Sequence, residues 1–247
     1  MAGLLDGKVA VITGAGTGLG KAMAKVFVRE GAKVLAVDFS GAEEATAREF
    51  GPDVVPYHAD VSKESEIAAM FAEALATFGR VDALLNVAGT LLNYQPDLSE
   101  QEYEDMMATN LKGVLFCCKH AVKVMAQGGG GSIVNVTTVG AMNAEIMASI
   151  PYLAAKTGVT GVTKAFAIHH GKDNIRANVM ASGFAKTEKL AGIPDDALAH
   201  LASKAVQNRM ADPEEHAEVA AFLASDRAAF ITGAVIPVDG GWTARLA

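Results

Sequence analysis

The sequence is poor in several residue types, and each shortage excludes a class of protein. Cysteine occurs twice in 247 residues, at 117 and 118, without the C-x-x-C spacing of a metal site. The 21 basic residues against 28 acidic ones give a net charge of −7, which disfavours binding to nucleic acid. No apolar run approaches the ~18 residues of a membrane span, and no signal peptide or basic amphipathic helix is evident. We therefore expect a cytoplasmic protein with reduced cysteines in its core and no metal.

Linkers and low-complexity segments are also missing. The seven prolines are scattered, and GGGG at 128–131 is too short to separate two domains. Apolar residues make up 51% of the chain, which is ample for one large core. The sequence predicts a single domain over residues 1–247.

In the chain, short apolar segments alternate with segments whose apolar residues recur at helical spacing. Segments rich in Val, Ile and Leu lie at 8–14, 32–38, 53–60, 81–89, 131–138, 175–183 and 234–241. Helical periods lie between them at 20–31, 41–50, 63–79, 99–126, 151–171 and 213–224. The strands alternate poorly and are therefore buried on both faces. The pattern predicts an α/β fold, a Rossmann-like, doubly wound, mostly parallel seven-stranded sheet with helices on both faces.

A glycine-rich turn follows the first predicted strand but lacks the common dinucleotide spacing. In TGAGTGLG, residues 13–20, the pattern G-x-G-x-x-G fails because Leu19 and Lys21 stand where the last glycine would be. Gly14 still ends a strand and Gly20 opens a helix, where N–H groups and the helix dipole favour phosphate. The turn predicts a cofactor phosphate site, with a plain tight turn as the alternative.

Polar residues follow the next predicted strands, where a parallel sheet places its ligand. Asp38 can accept hydrogen bonds from the ribose of an adenosine and repel a 2′-phosphate. Phe39 follows it instead of an arginine, so NAD is favoured over NADP, and a helix cap is the alternative for Asp38. Asp60-Val61 can meet the adenine, and Asn86-Val87-Ala88-Gly89 can lie against the cofactor ribose.

Tyr152 and Lys156 share one face of a predicted helix. A free tyrosine has a pKa of about 10, too high for efficient acid–base work at neutral pH, and a nearby ammonium is expected to lower it. Such a proton donor can serve a carbonyl or alcohol oxygen while hydride moves to or from a nicotinamide. A surface pair is the alternative for an isolated Y-x-x-x-K.

The order and spacing of these motifs, with Asn110 and the late VDGG, resemble the short-chain dehydrogenase/reductase family over roughly residues 5–243. The resemblance implies that Tyr152 is the general acid/base and that Lys156 lowers its pKa and binds the nicotinamide ribose. It further implies that a hydroxyl, here Thr138, holds the substrate oxygen and that Asn110 supports a proton-relay water. Thr187, after Gly183, takes the position that holds the nicotinamide carboxamide. A homotetramer is also implied, with helices near 103–126 and 152–171 at one interface.

The sequence departs from the family pattern in three places. Threonine replaces the usual serine, and Thr138 lies one residue further from Tyr152 than usual. Counting the family's usual distance back from Tyr152 leads to Val139, which has no hydroxyl. Thr137 is the alternative to Thr138 for the residue that holds the substrate oxygen. The common NNAG reads Asn86-Val87-Ala88-Gly89, and the usual Pro-Gly reads Ser182-Gly183.

The predicted function is that of an NAD-dependent oxidoreductase that interconverts a secondary alcohol and a ketone, a short-chain alcohol dehydrogenase or ketoreductase acting on CH–OH donors. The alternatives are a non-catalytic NAD-binding sensor and a structural subunit of the same fold. Enoyl reductases are disfavoured because their wider Tyr–Lys spacing falls on Val159. The substrate is expected to be a small or medium, mostly apolar molecule with a polar group. An insert at about 186–210 would form its lid, and Met142, Asn143, Glu145 and Met147 would line its pocket.

The predicted site comprises two sets of residues. The catalytic set is Asn110, Thr138, Tyr152 and Lys156. The cofactor set is Gly14, Thr17, Gly18, Leu19, Asp38, Asp60, Val61, Asn86, Ala88, Gly89, Tyr152, Lys156, Gly183 and Thr187.

Overall fold

A computed structural model describes residues 3–91, 93, 95–143 and 148–245. Seven strands form one sheet: β1 Val9–Thr13, β2 Lys33–Asp38, β3 Val54–His58, β4 Ala83–Asn86, β5 Gly131–Thr138, β6 Ile175–Ser182 and β7 Val235–Val238. Their spatial order is β3-β2-β1-β4-β5-β6-β7. Each neighbouring pair is parallel, so the predicted doubly wound α/β fold is confirmed and the sheet is parallel throughout rather than mostly so.

The described α-helices are α1 Gly18–Arg29, α2 Glu43–Phe50, α3 Glu64–Phe78, α4 Glu100–Met107, α5 Val114–Gln127, α6 Gly140–Asn143, α7 Ile150–His170, α8 Asp195–Lys204 and α9 Pro213–Ala224. Within the predicted insert, a 3₁₀ turn at Glu188–Leu190 precedes α8. Among the described helices, none is long and apolar enough to cross a bilayer.

The core lies in two layers because successive side chains of each strand point to opposite faces. Ile12 packs in a cluster with Met23 and Phe27 of α1. Its neighbour Val11 packs in the other cluster, which contains both cysteines. Both cysteines are buried free thiols, as the composition predicted.

The single helix predicted over 99–126 is divided in the structure. Ser99 caps α4 through a capping box with Glu102. After α4, residues Ala108–Gly113 form a π-helical turn before α5 begins. Such turns recur at functional sites, and this one carries Asn110. A Cβ on Gly113 would lie 2.7 Å from the carbonyl oxygen of Val61, so this turn packs directly on the residue after Asp60.

The carboxyl ends of the strands form one crevice, at the point where the strand order reverses between β1 and β4. Parallel sheets bind their ligands at such a reversal. The glycine turn leaves β1 there, Asp38 ends β2, and residues 86–89 leave β4. The fold therefore brings the predicted cofactor residues to one edge of the sheet.

Candidate active site

The glycine turn between β1 and α1 is built in a way that excludes side chains. A Cβ on Gly14 would lie 2.8 Å from the backbone of Ala88, and one on Gly20 would lie 2.0 Å from the carbonyl oxygen of Gly14. Gly14 and Gly18 have φ values of 70° and 54°, which favour glycine. Thr17 is the N-cap residue of α1 and makes no side-chain cap bond. Leu19 packs partly buried against the core.

The same turn already binds an anionic group in the structure. The N–H of Gly18, the first residue of α1, donates to Oε2 of Glu188 at 3.0 Å. A carboxylate at this position shows that the helix N-terminus offers a donor to negative charge, as a phosphate site requires. The residues present therefore fit a dinucleotide phosphate. Thr187 lies beside the turn, with its methyl carbon 3.4 Å from where a Cβ of Gly18 would be.

Asp38 is held in place by backbone and hydroxyl donors. Its Oδ2 accepts from the N–H of Gly16 at 3.0 Å, which ties the end of β2 to the glycine turn. Its Oδ1 accepts from the N–H and the hydroxyl of Ser40 at 3.0 and 2.8 Å. An ionised carboxylate has about four acceptor positions, so one remains for a ribose hydroxyl. Phe39, the next residue, is 65% exposed.

Asp60 and Val61 follow β3 on the far side of Asp38. Burial by itself would raise the pKa of Asp60, but the N–H and hydroxyl of Ser62 and the charge of Lys63 hold it below its ordinary value. Asp60 is therefore ionised at neutral pH. Val61 is buried beneath Gly113.

The loop after β4 is fixed by Thr13, a residue that the sequence analysis passed over. The hydroxyl oxygen of Thr13 accepts from the N–H groups of Val87 and Ala88 at 3.2 and 3.3 Å. Beyond them, a Cβ on Gly89 would lie 2.7 Å from Oδ1 of Asn110 and 3.2 Å from Nζ of Lys156. Only glycine lets this loop approach the two polar groups so closely.

The side chain of Asn86 is turned into the core, so the predicted contact of this residue with the cofactor would come from its backbone. It is 2% exposed, and its Nδ2 donates to Oδ1 of Asn135 at 2.8 Å. Asn135 in turn donates to the hydroxyl of Thr163 on α7 at 2.8 Å. The amide thus lies inside the core because β4, β5 and α7 share one buried polar chain. Asn135, which interrupts the apolar residues 133–136 of β5, was the signal for it.

Asn110 is oriented by its amide nitrogen, and its carbonyl oxygen is left free. Nδ2 donates to the carbonyl oxygens of Thr90 and Met106 at 3.0 and 3.1 Å. Oδ1 is buried and has no hydrogen-bond partner among the described residues. A buried acceptor of this kind ordinarily binds water or ligand, because leaving it unpaired costs free energy. It faces Gly89 and the ammonium of Lys156, as the distances above require.

Lys156 is a buried cation at the centre of the crevice. It is 4% exposed, and its Nζ donates to the carbonyl oxygen of Val136 at 3.1 Å. The same nitrogen lies 5.9 Å from the centre of the Tyr152 ring. Burial, together with the charge of Lys189, lowers the pKa of Lys156 to about 8.

The expected lowering of the tyrosine pKa is wrong for this structure. Burial raises the pKa of Tyr152 to about 12, and the lysine does not offset it. Burial disfavours the charged phenolate, and this effect determines the direction of the shift. At neutral pH the structure therefore holds a protonated phenol beside an ammonium ion.

Thr138 and Thr137 differ in their access to the crevice. Thr138 is the last residue of β5 and is half-buried, and its hydroxyl oxygen accepts from the N–H of Gly140 at 3.1 Å. Within the described residues its O–H donates to no acceptor and is available to a ligand. Thr137 is 4% exposed and Val139 is 2% exposed, so both are enclosed. The geometry favours Thr138 over its rival as the residue that contacts substrate.

The remaining predicted residues lie at the rim. Gly183 donates its N–H to Val238 at 2.9 Å, and a Cβ there would be 2.7 Å from Cα of Asp239. Met142 and Asn143 are exposed on α6. Glu145 and Met147 lie outside the described residues. Within the described ranges, no group of three or more His, Cys, Asp or Glu side chains could hold a metal ion.

Comparisons with known proteins agree with this architecture. The family model described as "Enoyl-(Acyl carrier protein) reductase" matches residues 14–243. Cis-4-hydroxycyclohexanecarboxylate dehydrogenase of Sinomonas cyclohexanicum is 39% identical over 96% of this chain and 97% of its own. Meso-2,3-butanediol dehydrogenase of Serratia marcescens is 37% identical over 97% of this chain and 96% of its own.

A solved structure is similarly close. It is a short-chain dehydrogenase/reductase from Burkholderia xenovorans, 35% identical, with a TM-score of 0.93 over 100% of both chains. The relatives named above act on alcohols by their descriptions, and the matches cover the chain nearly from end to end. The resemblance inferred from the motifs is therefore confirmed: the chain belongs to the short-chain dehydrogenase/reductase family.

Proposed function

We propose that this protein is an NAD-dependent oxidoreductase that interconverts a secondary alcohol and a ketone, with Tyr152 as general acid/base. The observation that carries the proposal is the buried Lys156 ammonium, 5.9 Å from the centre of the Tyr152 ring and close to Gly89, which the Oδ1 of Asn110 also approaches. A buried cation is costly, and such arrangements are concentrated at functional sites. The alcohol-oxidising relatives support the same reaction class.

The cofactor would be held along the strand ends. Gly14, Gly18 and the start of α1 would bind the pyrophosphate, Asp38 the adenosine ribose, and Asp60 with Val61 the adenine. Ala88, Gly89 and Lys156 would contact the nicotinamide ribose, and Gly183 with Thr187 the carboxamide. The nicotinamide, when bound, supplies or accepts the hydride. The ionised Asp38, with Phe39 in place of a cation beside it, favours NAD over NADP.

The chain's own residues would move the proton. In ketone reduction the phenol of Tyr152 donates its proton to the carbonyl oxygen, and in alcohol oxidation the phenolate takes the hydroxyl proton back. The Thr138 hydroxyl would hold the substrate oxygen. Lys156 would have to stabilise the phenolate that forms against the burial that raises the pKa of Tyr152. Oδ1 of Asn110 can accept a hydrogen bond from a water beside that ammonium. This water would connect the site to solvent.

The substrate class we favour is a small cyclic or vicinal-diol secondary alcohol, by analogy with what the relatives' names state. The insert at about 186–210 would cover it as a lid. The insert carries apolar residues, with Leu190 on the 3₁₀ turn and Leu198 on α8. Met142 at the opposite rim is 46% exposed and available for contact.

Two other functions remain as alternatives. A sensor or a structural subunit would need no complete set of Asn110, Thr138, Tyr152 and Lys156. The nearness of Lys156 to the Tyr152 ring supports the enzyme over both. The Tyr152–Lys156 spacing also favours alcohol chemistry over enoyl reduction, whatever the description of the family model. Binding of NAD without turnover of alcohols or ketones would favour the sensor.

We also infer a homotetramer in the cytoplasm. Large apolar side chains are exposed on the helices that the family uses for assembly, with Leu115 on α5 at 39% and Ile168 on α7 at 77%. A second exposed set, Phe222 and Phe230, lies near the C-terminal strand. Both thiols are free, in keeping with a reducing compartment. Light scattering of the purified protein tests the assembly.

The function is tested by NADH formation from a panel of secondary alcohols, with cis-4-hydroxycyclohexanecarboxylate and meso-2,3-butanediol included. Turnover with NAD and little with NADP is the expected result. No turnover of any alcohol or ketone, despite NAD binding, would reject the proposal.

A further inference from the structure

The contact between Gly18 and Glu188 joins two parts of the molecule that are 170 residues apart. Gly18 opens the helix at the glycine turn, and Glu188 opens the 3₁₀ turn of the insert. Among the described residues, this carboxylate is the group that receives the Gly18 N–H. The proposed cofactor would present its pyrophosphate to the same donor.

A carboxylate and a phosphate cannot share this donor. Two unit charges 4 Å apart repel by about 1 kcal/mol even in water, and more near a protein surface. Glu188 must therefore leave before a phosphate binds. Glu188 lies next to Thr187, in the segment proposed to hold the carboxamide.

The neighbouring Lys189 shows that this turn also influences the chemical centre. Its positive charge contributes to the lowered pKa of the buried Lys156, after the larger effect of burial. The 3₁₀ turn thus lies close enough to affect both the phosphate end and the catalytic end of the crevice. A shift of the turn would be felt at both.

We propose that Glu188 is an internal competitor of the dinucleotide, which sets the affinity for NAD and NADH and fastens the insert to the phosphate turn while the cofactor is absent. The proposal rests on the proposed function for the identity of the cofactor. It assigns to Glu188 a role in cofactor affinity rather than in the chemical step.

The direct test is calorimetric titration of the wild type and Glu188→Gln with NAD, NADH, ADP-ribose and adenosine. Removal of the competing charge should lower the dissociation constants of the three pyrophosphate compounds by about three- to tenfold at low salt. Adenosine has no phosphate, so its affinity should not change. Added salt should shrink the difference, because it screens exposed charges.

Asp196→Asn is the matched control. It removes the same charge from the same insert, and in the described part of the chain Asp196 makes no side-chain hydrogen bond. Its affinities should equal those of the wild type. Equal gains in both variants would assign the effect to net charge and overturn the role of Glu188.

Limited trypsin digestion tests the fastening without any cofactor. Lys186 and Lys189 flank Thr187 and Glu188 and are both exposed, so cleavage there reports the mobility of this turn. Free Glu188→Gln should be cut faster than the wild type and Asp196→Asn, and NAD should change cleavage of the wild type. Equal cleavage rates in the free proteins would contradict the fastening.

The outcomes separate this inference from the proposed function. If the wild type binds NAD and Glu188→Gln binds it no more tightly, the competitor is rejected and the cofactor assignment stands. If adenosine gains as much as ADP-ribose, the effect does not come from the phosphate site and the inference is wrong. If no variant binds NAD, both proposals are wrong.

Discussion

The ammonium nitrogen of Lys156 lies 5.9 Å from the centre of the Tyr152 ring and donates to the carbonyl oxygen of Val136 at 3.1 Å. Burial acts on these two groups in opposite directions. It lowers the pKa of the lysine to about 8 and raises the pKa of the tyrosine to about 12. At neutral pH the ammonium and the phenol both keep their protons, which suits proton donation to a carbonyl.

The buried ammonium predicts that Lys156→Met removes activity and stabilises the fold. The folded-state pKa lies below the ordinary 10.5, so below pH 8 the folded chain carries a buried charge that the unfolded chain exposes to water. The variant should gain on the order of 1–3 kcal/mol in free energy of unfolding at pH 7.

This gain should shrink as the pH rises above 8, because the folded lysine then loses its proton while the unfolded lysine keeps it. Urea denaturation of both proteins between pH 7 and 9.5 measures the difference. A variant less stable than the wild type at pH 7 would show that the Val136 hydrogen bond outweighs the burial.

The position of the substrate hydroxyl is tested at two adjacent threonines. Thr138→Val should lower kcat by about a hundredfold, because it removes a donor to the reacting oxygen. Thr138→Ser should retain most of the activity, and Thr137→Val, inside the core, should change it little. If Thr137→Val lowered kcat more than Thr138→Val, the role would belong to Thr137.

Asp38 predicts the cofactor preference. Asp38→Asn keeps an acceptor for the Gly16 N–H and removes the charge that repels a 2′-phosphate. Like charges in contact cost several kcal/mol, so the ratio of kcat/KM for NAD to that for NADP should fall by about ten- to a hundredfold. Ser40→Ala removes a donor to Asp38 and an acceptor of the Ala42 N–H but keeps the carboxylate, so this control should leave NAD preferred. An unchanged ratio in Asp38→Asn would place the discrimination elsewhere.

The buried His216 should make the folded state less stable in acid. The ring on α9 is fully buried, and neither nitrogen has a hydrogen-bond partner within the described ranges. Burial lowers the pKa of His216 below 6.5. The Val238 backbone and the charge of Glu215 act in the opposite direction, but their effects are smaller. As the pH falls through 6.5 the unfolded chain takes up the proton first, so the folded state loses stability.

His216→Leu should therefore raise the free energy of unfolding by about 1 kcal/mol at pH 7 and by more at pH 5. Thermal melts across this pH range measure it, beside His200→Gln as an exposed control. A gain that does not grow with acidity would mean that the imidazole is satisfied in the fold.

The sequence predicted those features that local chemistry decides. The bounds of α9 were predicted as found, because Asp212 caps a helix that opens with Pro213. Strand β5 also has its predicted bounds, because a run of glycines precedes its apolar residues and a loop follows them. The family motifs predicted Asp38 at the end of a strand and Tyr152 at the start of a helix, and the structure has them as the last residue of β2 and in the first turn of α7.

Other features depend on contacts between distant residues and left no local signal. The π-helical turn at Asn110 follows from its fit against Val61, and the inward amide of Asn86 from Asn135 and Thr163. The raised pKa of Tyr152 reflects burial that only the folded chain has. The contact of Glu188 with Gly18 joins residues that no sequence window contains together.

The most direct test of the account is the comparison of wild type and Tyr152→Phe in NAD binding and in NADH formation from secondary alcohols. The account predicts that the variant binds NAD within about twofold of the wild type, since only a hydroxyl is lost, while turnover falls by at least about 10³-fold. A variant that keeps its activity would contradict the role of Tyr152. A wild type that binds NAD but turns over neither alcohols nor ketones would contradict the proposed reaction and favour a sensor.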